Sequence, residues 1–139
     1  MRTSLIVALG LPVVVACAGP APVPNLIRVN ETGPPEEHFV TYADLATIKR
    51  SKNIVSMSSV IDSAMPDDVA GNQHRASWKD EWEYDCDDKK TRPRQYTKYS
   101  GRMGTGQTTF SQKIYPGLWL SLSPGSVGEQ LWQIACGQE

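Results

Sequence analysis

From Ala76 to Cys86 the chain alternates without a break: Ala76, Trp78, Asp80, Trp82, Tyr84 and Cys86 share one side, and Ser77, Lys79, Glu81, Glu83 and Asp85 the other. Period-two alternation predicts an antiparallel strand with one packed and one wet face, and it points Cys86 inward. Asp80 breaks the apolar side, which predicts a bend or an edge at that position. Ile54 to Asp62 repeats the pattern more loosely, with Val55, Met57 and Ile61 on one face and Ser56 and Ser58 on the other. Shorter strands are expected at Leu26–Val29, Phe39–Tyr42, Arg94–Tyr99, Gln107–Phe110 and Leu118–Leu122. The turn Glu31–Pro35, Gly101, Gly104, Gly106 and Pro116-Gly117 separate them. Asp44 to Lys49 reads as one or two helical turns capped by Asp44, after which Ser51-Lys52-Asn53 turns the chain.

The period changes at the C-terminus. At 100° per residue Ile134, Val127, Leu131, Ala135, Trp132 and Cys136 cover one broad arc, with Glu129, Gln130 and Gln133 opposite. Ser126-Val127-Gly128-Glu129 is a capping box for that helix, and Gly137 is its stop.

The N-terminus follows a different logic. Met1, Arg2 and the apolar run Leu5 to Val15 have the order of a secretory signal, and the run is shorter than the roughly 20 residues a membrane-spanning helix needs. Val14-Val15-Ala16-Cys17 resembles the bacterial lipoprotein cleavage motif, which makes residues 1–16 a signal peptide and Cys17 the acylated first residue of the mature chain. The alternative is ordinary cleavage after Ala18, which discards Cys17. Residues 17–24, rich in proline, then form an extended tether, and residues 25–139 are the right size for one compact domain. With Cys17 lipidated or removed, two of the three cysteines remain. In an oxidising envelope compartment Cys86 and Cys136 are expected to pair; the alternative is two separate buried thiols. An inward cysteine on a strand and another at the edge of a helix's packed arc are well placed to join helix to sheet.

Three groups of residues then carry a likeness. They are Tyr84-Asp85-Cys86 after a tryptophan-bearing strand, Tyr99-Ser100-Gly101-Arg102-Met103-Gly104-Thr105-Gly106, and Trp119 followed by Pro124-Gly125-Ser126-Val127-Gly128-Glu129 and Cys136. With the looser echo from Tyr42-Ala43-Asp44 to Ile48, they cover residues 38–136 in order, and the sequence resembles the surface-adhesin protein E family of bacterial envelope proteins. The resemblance implies an α+β domain: an antiparallel sheet of about six strands with a C-terminal helix tied to it by the cysteine bridge. It also suggests a homodimer and an adhesive role toward host matrix proteins. Around Leu26–Val29 the chain departs from the family pattern, which often opens the domain with tryptophan.

Catalytic chemistry finds little footing. His38 and His74 stand in no metal-ligand spacing, and Gly125-Ser126-Val127-Gly128 lacks the G-x-S-x-G order of a nucleophile elbow. Gly101-x-x-Gly104-x-Gly106 inverts the dinucleotide fingerprint, so a flexible turn is the expectation. Asp85, Asp87 and Asp88 follow no calcium-loop register. Neither a metal nor a cofactor is therefore expected, and the reading is of a protein without enzymatic activity. The formal charge of -1 gives no bulk electrostatic partner and argues against nucleic acid, but its distribution is one-sided. Between Lys89 and Gly128 there is no acidic residue, while Lys89, Lys90, Arg92, Arg94, Lys98, Arg102 and Lys113 fall inside that segment. A basic surface facing a matrix protein, an acidic glycan or anionic lipid is one reading, with Tyr96 and Tyr99 adding contact area. Cross-strand pairing with Glu81, Glu83, Asp85, Asp87 and Asp88 is the alternative. The expectation is a lipid-anchored envelope protein, in the outer membrane and facing either the periplasm or the surface. It binds a macromolecule through Lys89, Lys90, Arg92, Arg94, Lys98 and Arg102; the alternative is a periplasmic structural or assembly lipoprotein with no host ligand.

Overall fold

The computed structural model describes residues 25–34, 38–63, 77–115 and 117–137. The signal peptide, Cys17, the tether and His74 lie outside these residues. Among the described residues the chain runs β1 (Leu26–Thr32), β2 (Phe39–Ser51), β3 (Ile54–Ser63), β4 (Ser77–Asp85), β5 (Lys90–Tyr99), β6 (Thr108–Lys113), β7 (Leu120–Ser121) and α1 (Val127–Gly137). The strands form one antiparallel sheet in the order β1-β2-β3-β4-β5-β6. β7 adds a two-residue pairing to the start of β5, on the edge that β6 occupies further along. From β1 to β6 sequential neighbours pair, so that part of the sheet is a meander. It is more sheet-rich than the expected α+β description suggests, with α1 as its one described helix.

The alternation expected from the sequence places the core. Across the central strands Val55 faces Tyr84 and Met57 faces Trp82, on the side where α1 packs; we call this the front face. Ala43, Val55, Met57 and Tyr84 are fully or nearly fully buried there against Leu131 and Ala135 of the helix. Val127, Trp132, Ile134 and Cys136 complete the helical side of the contact, as the 100° arc requires. Ser126 and Glu129 cap α1: the Glu129 N–H donates to Ser126 Oγ at 3.1 Å, and the Glu129 carboxylate accepts from the Gly125 N–H at 2.6 Å. At the other end a Cys86–Cys136 disulfide, with Cα atoms 5.6 Å apart, joins the turn after β4 to the last turn of α1. The Trp132 indole N–H donates to the Asp85 carbonyl at 2.8 Å beside it.

Two elements differ from expectation. Asp44 to Lys49 is not helical; it lies within the long strand β2, whose pairing with β3 shifts register between Asp44 and Lys49. The Thr47 hydroxyl donates to the Asp44 carbonyl at 2.7 Å and accepts the Ser58 N–H at 2.8 Å, so one side chain bridges the irregularity. Leu45 and Ile48 pack against the core from the two ends of this bulge, giving the three-residue apolar spacing that reads as a helix in the sequence. Leu118–Leu122 yields only the two-residue β7, and Leu118 is 86% exposed. Leu131→Ala should therefore cost about 2–4 kcal/mol by urea unfolding. Phe110→Ala on exposed β6 should cost under about 1 kcal/mol.

Candidate functional site

The basic residues singled out in the sequence divide into three places. Lys89, Lys90, Arg92 and Arg94 gather at the start of β5. The Lys89 ammonium meets the Glu129 carboxylate and lies 5.6 Å from the Trp132 ring centre, and Lys90 pairs with Asp88 at 3.6 Å. Arg92 and Arg94 share Glu83, at 2.6 and 3.5 Å, and the Arg92 guanidinium stacks 4.4 Å from the Trp119 ring centre. Both arginines reach one carboxylate because β5 carries an extra residue: Gln95 faces Glu81 and Pro93 faces Trp82, which leaves Arg94 as the bulge. The bulge also accommodates Pro93, which has no N–H to give to a ladder.

Lys98 lies elsewhere, on the front face, 5.9 Å over the Trp78 ring. Arg102 is at the far end of the sheet and turned toward Asp62. The hairpin thus sets the acidic and basic halves of the chain against each other. The Lys89, Lys90 and Arg94 side chains nevertheless stay 45%, 39% and 35% exposed, so they pair without being withdrawn from solvent. Beside them Arg94, Lys113, Ile114 and Tyr115 line a hollow of about 330 Å³, and Tyr115 is 92% exposed. Tyr115 escaped the sequence reading, which placed Leu118 at the start of a strand, although an apolar cluster around a Pro-Gly pair is the signal that marks such a loop.

The loop after β5 has a structural task. Asp62 is fully buried; its Oδ2 accepts from Arg102 Nε and a terminal guanidinium N–H at 3.0 and 2.7 Å, and its Oδ1 accepts the Met103 N–H at 2.6 Å. The Ser77 hydroxyl donates to the Gly101 carbonyl at 2.7 Å and accepts the Gly104 N–H at 2.8 Å. Gly106 has φ of 82°, and a Cβ there would stand 2.5 Å from Ser100 Oγ, so the glycine pattern encodes a tight loop. The Asp85 carboxylate is likewise occupied. Its Oδ1 accepts the N–H groups of Asp87 and Asp88, both at 3.0 Å, and these with the Asn53 amide hold it below the usual carboxylate range, the Asp88 bond being the largest cause.

The second hollow is the one the sequence missed. Where the N-terminal turn of α1 leaves the front face, Thr41, Ser59, Ile61, Asp80, Trp82, Tyr84, Thr91, Val127, Gly128 and Leu131 enclose a largely apolar cleft of about 290 Å³. Asp80 stands on its floor. Burial raises this carboxyl to about 6, against an opposing interaction with the Trp82 side chain. The Tyr84 hydroxyl is pushed upward as well, first by its own burial and then by the Asp80 charge.

The family model for surface-adhesin protein E matches residues 27–137, nearly all of the described domain. The chain belongs to the surface-adhesin protein E family. No curated protein matches it individually. Membership implies a cell-envelope or surface location and attachment to a host partner, and it joins the chain to a family that is generally not enzymatic. Within this surface-adhesin protein E domain, the glycine-rich motif after Tyr99 is the loop clamped by Asp62 and Ser77. The Tyr84-Asp85-Cys86 motif supplies a core ring, the turn carboxylate and one half of the disulfide.

Two measurements check these placements. Arg102→Ala should destabilise the domain by about 3 kcal/mol, because it leaves the Asp62 charge buried without its cation, and Asp62→Asn in the same chain should recover part of that loss. Asp80 has the opposite sign from a paired carboxylate. Its raised value means the fold holds the proton that the unfolded chain releases, so stability should fall as pH rises from about 4 to about 6 and then level off. Asp80→Asn should remove that slope and raise stability at pH 7.5 by on the order of 1 kcal/mol, the shift being discounted for partial exposure.

Proposed function

We propose that this chain is a non-enzymatic, lipid-anchored envelope adhesin whose partner docks on the start of β5. The observation that carries the reading is the juxtaposition of the partly exposed cations Lys89, Lys90 and Arg94 with the exposed apolar loop bearing Tyr115 and Leu118, within the family fold. A basic surface edged by an aromatic ring suits an acidic segment of a host matrix protein or an acidic glycan, since charge steers the encounter and the ring supplies contact area. Lys98 and Arg102 contribute less to such a surface, because one sits on the front face and the other is engaged with Asp62. Acylation at Cys17 supplies the anchor, because several chains on one residue give stable membrane attachment where a single chain does not. The aromatic row on the uncovered half of the front face, with Phe39 5.5 Å from Trp78 and Tyr96 5.9 Å from Phe110, supports the homodimer that the family resemblance suggests.

Replacing Lys89, Lys90, Arg92 and Arg94 with glutamate tests the docking surface directly. Binding to heparin or an immobilised matrix protein should fall at least tenfold, and binding by the unaltered protein should weaken steeply between 50 and 300 mM salt, on the order expected for exposed charges. Salt-insensitive binding that survives the charge reversal would place the partner elsewhere. Protease treatment of intact cells should cut a surface-facing adhesin, whereas a periplasmic assembly lipoprotein would stay whole until the outer membrane is opened.

A further inference from the structure

The cleft at the N-terminal end of α1 combines apolar walls with one carboxylate oxygen that lacks a donor. Asp80 Oδ1 is buried and has no hydrogen-bond partner among the described residues. Leaving a carboxylate oxygen buried and unpaired is costly, and a carboxylate in that state in the lining of a cleft favours a ligand that brings a donor and a positive charge. Ile61, Trp82, Val127 and Leu131 offer that ligand an aliphatic sleeve. At about 290 Å³ the cleft is at the lower limit of small-molecule sites, so it suits a single side chain better than a large ligand.

We propose that this cleft binds the side chain of a lysine presented by a partner polypeptide, its methylenes against Ile61, Trp82 and Leu131 and its ammonium on the Asp80 carboxylate. Lysine fits better than arginine. A compact ammonium can satisfy one oxygen from a single direction, whereas a guanidinium fork is matched to both oxygens of a carboxylate. Of the two lysines that flank Asp80 on β4 and β5, Lys79 reaches Asp44 at 3.3 Å and Lys98 lies over Trp78. This site is on the front face and remains whether or not the start of β5 is the docking surface for acidic partners.

The test is an NMR titration of the oxidised, full-length mature protein with three blocked amino acids: Nα-acetyl-lysine, Nα-acetyl-norleucine and Nα-acetyl-glutamate N-methylamides. The lysine probe should give saturable shifts at the Gly128 and Leu131 amides and at the Trp82 indole. The norleucine probe, with an equally long apolar chain, should bind at least tenfold more weakly, and the glutamate probe should leave these resonances in place. Asp80→Asn, which keeps the shape and removes the charge, should weaken the lysine probe at least tenfold. Equal binding of lysine and norleucine, undiminished lysine binding by Asp80→Asn, or shifts that never saturate at the cleft would each overturn the proposal.

Discussion

Among the described residues the sheet is closed on only part of one face, by a single helix of 11 residues, and the disulfide at Cys86–Cys136 holds that helix in place. A helix this short is marginal by itself in water, so its persistence depends on what it packs against and how it is tied. Its cap at Ser126 and Glu129 fixes one end, and the sulfur bridge with the Trp132 hydrogen bond fixes the other. Between those two points only Leu131 and Ala135 are deeply buried. Losing the tether would let the helix lift from Val55, Met57 and Tyr84, the largest apolar contact of the domain.

Both candidate surfaces follow from that arrangement. Because α1 covers one end of the front face, its first turn leaves a step down to the sheet, and Asp80 lies at the foot of that step. Because β5 bulges at Arg94 and pairs with β7 only over Lys90 and Thr91, its first residues remain accessible beside the loop that carries Tyr115 and Leu118. The opposite end of the sheet is built differently. There Asp62 and Ser77 engage polar groups of the glycine-rich loop, so that motif serves the fold.

The sequence exposes its fold where a single physical signal dominates. Clean alternation over β4, a capping box, and cysteines on the packed sides of that strand and helix lead to the central strand, the helix and their bridge. It misleads at Asp44–Lys49, where a β-bulge brings Leu45 and Ile48 to the core at a helical spacing, and no local feature distinguishes the two outcomes. Cross-strand charge pairing was legible as an alternative because acidic and basic runs adjoin at a turn. The division of the cations among three places was not, since Lys98 and Arg102 are separated from Lys89 by a bulge and by a loop whose path depends on the distant Asp62. Asp80 stood out as a polar residue on an apolar face, yet its cleft exists only once α1 has docked. That information belongs to tertiary structure.

The dependence on the sulfur tether is open to direct measurement through chemical unfolding of the mature protein beside its Cys86→Ser/Cys136→Ser variant, followed by tryptophan fluorescence and far-UV circular dichroism. A loop closed across a sequence separation of 50 residues should be worth about 4 kcal/mol, so the variant should unfold at a much lower denaturant concentration and lose helical signal first. Coincident unfolding curves, with the helix equally persistent in both proteins, would contradict the account.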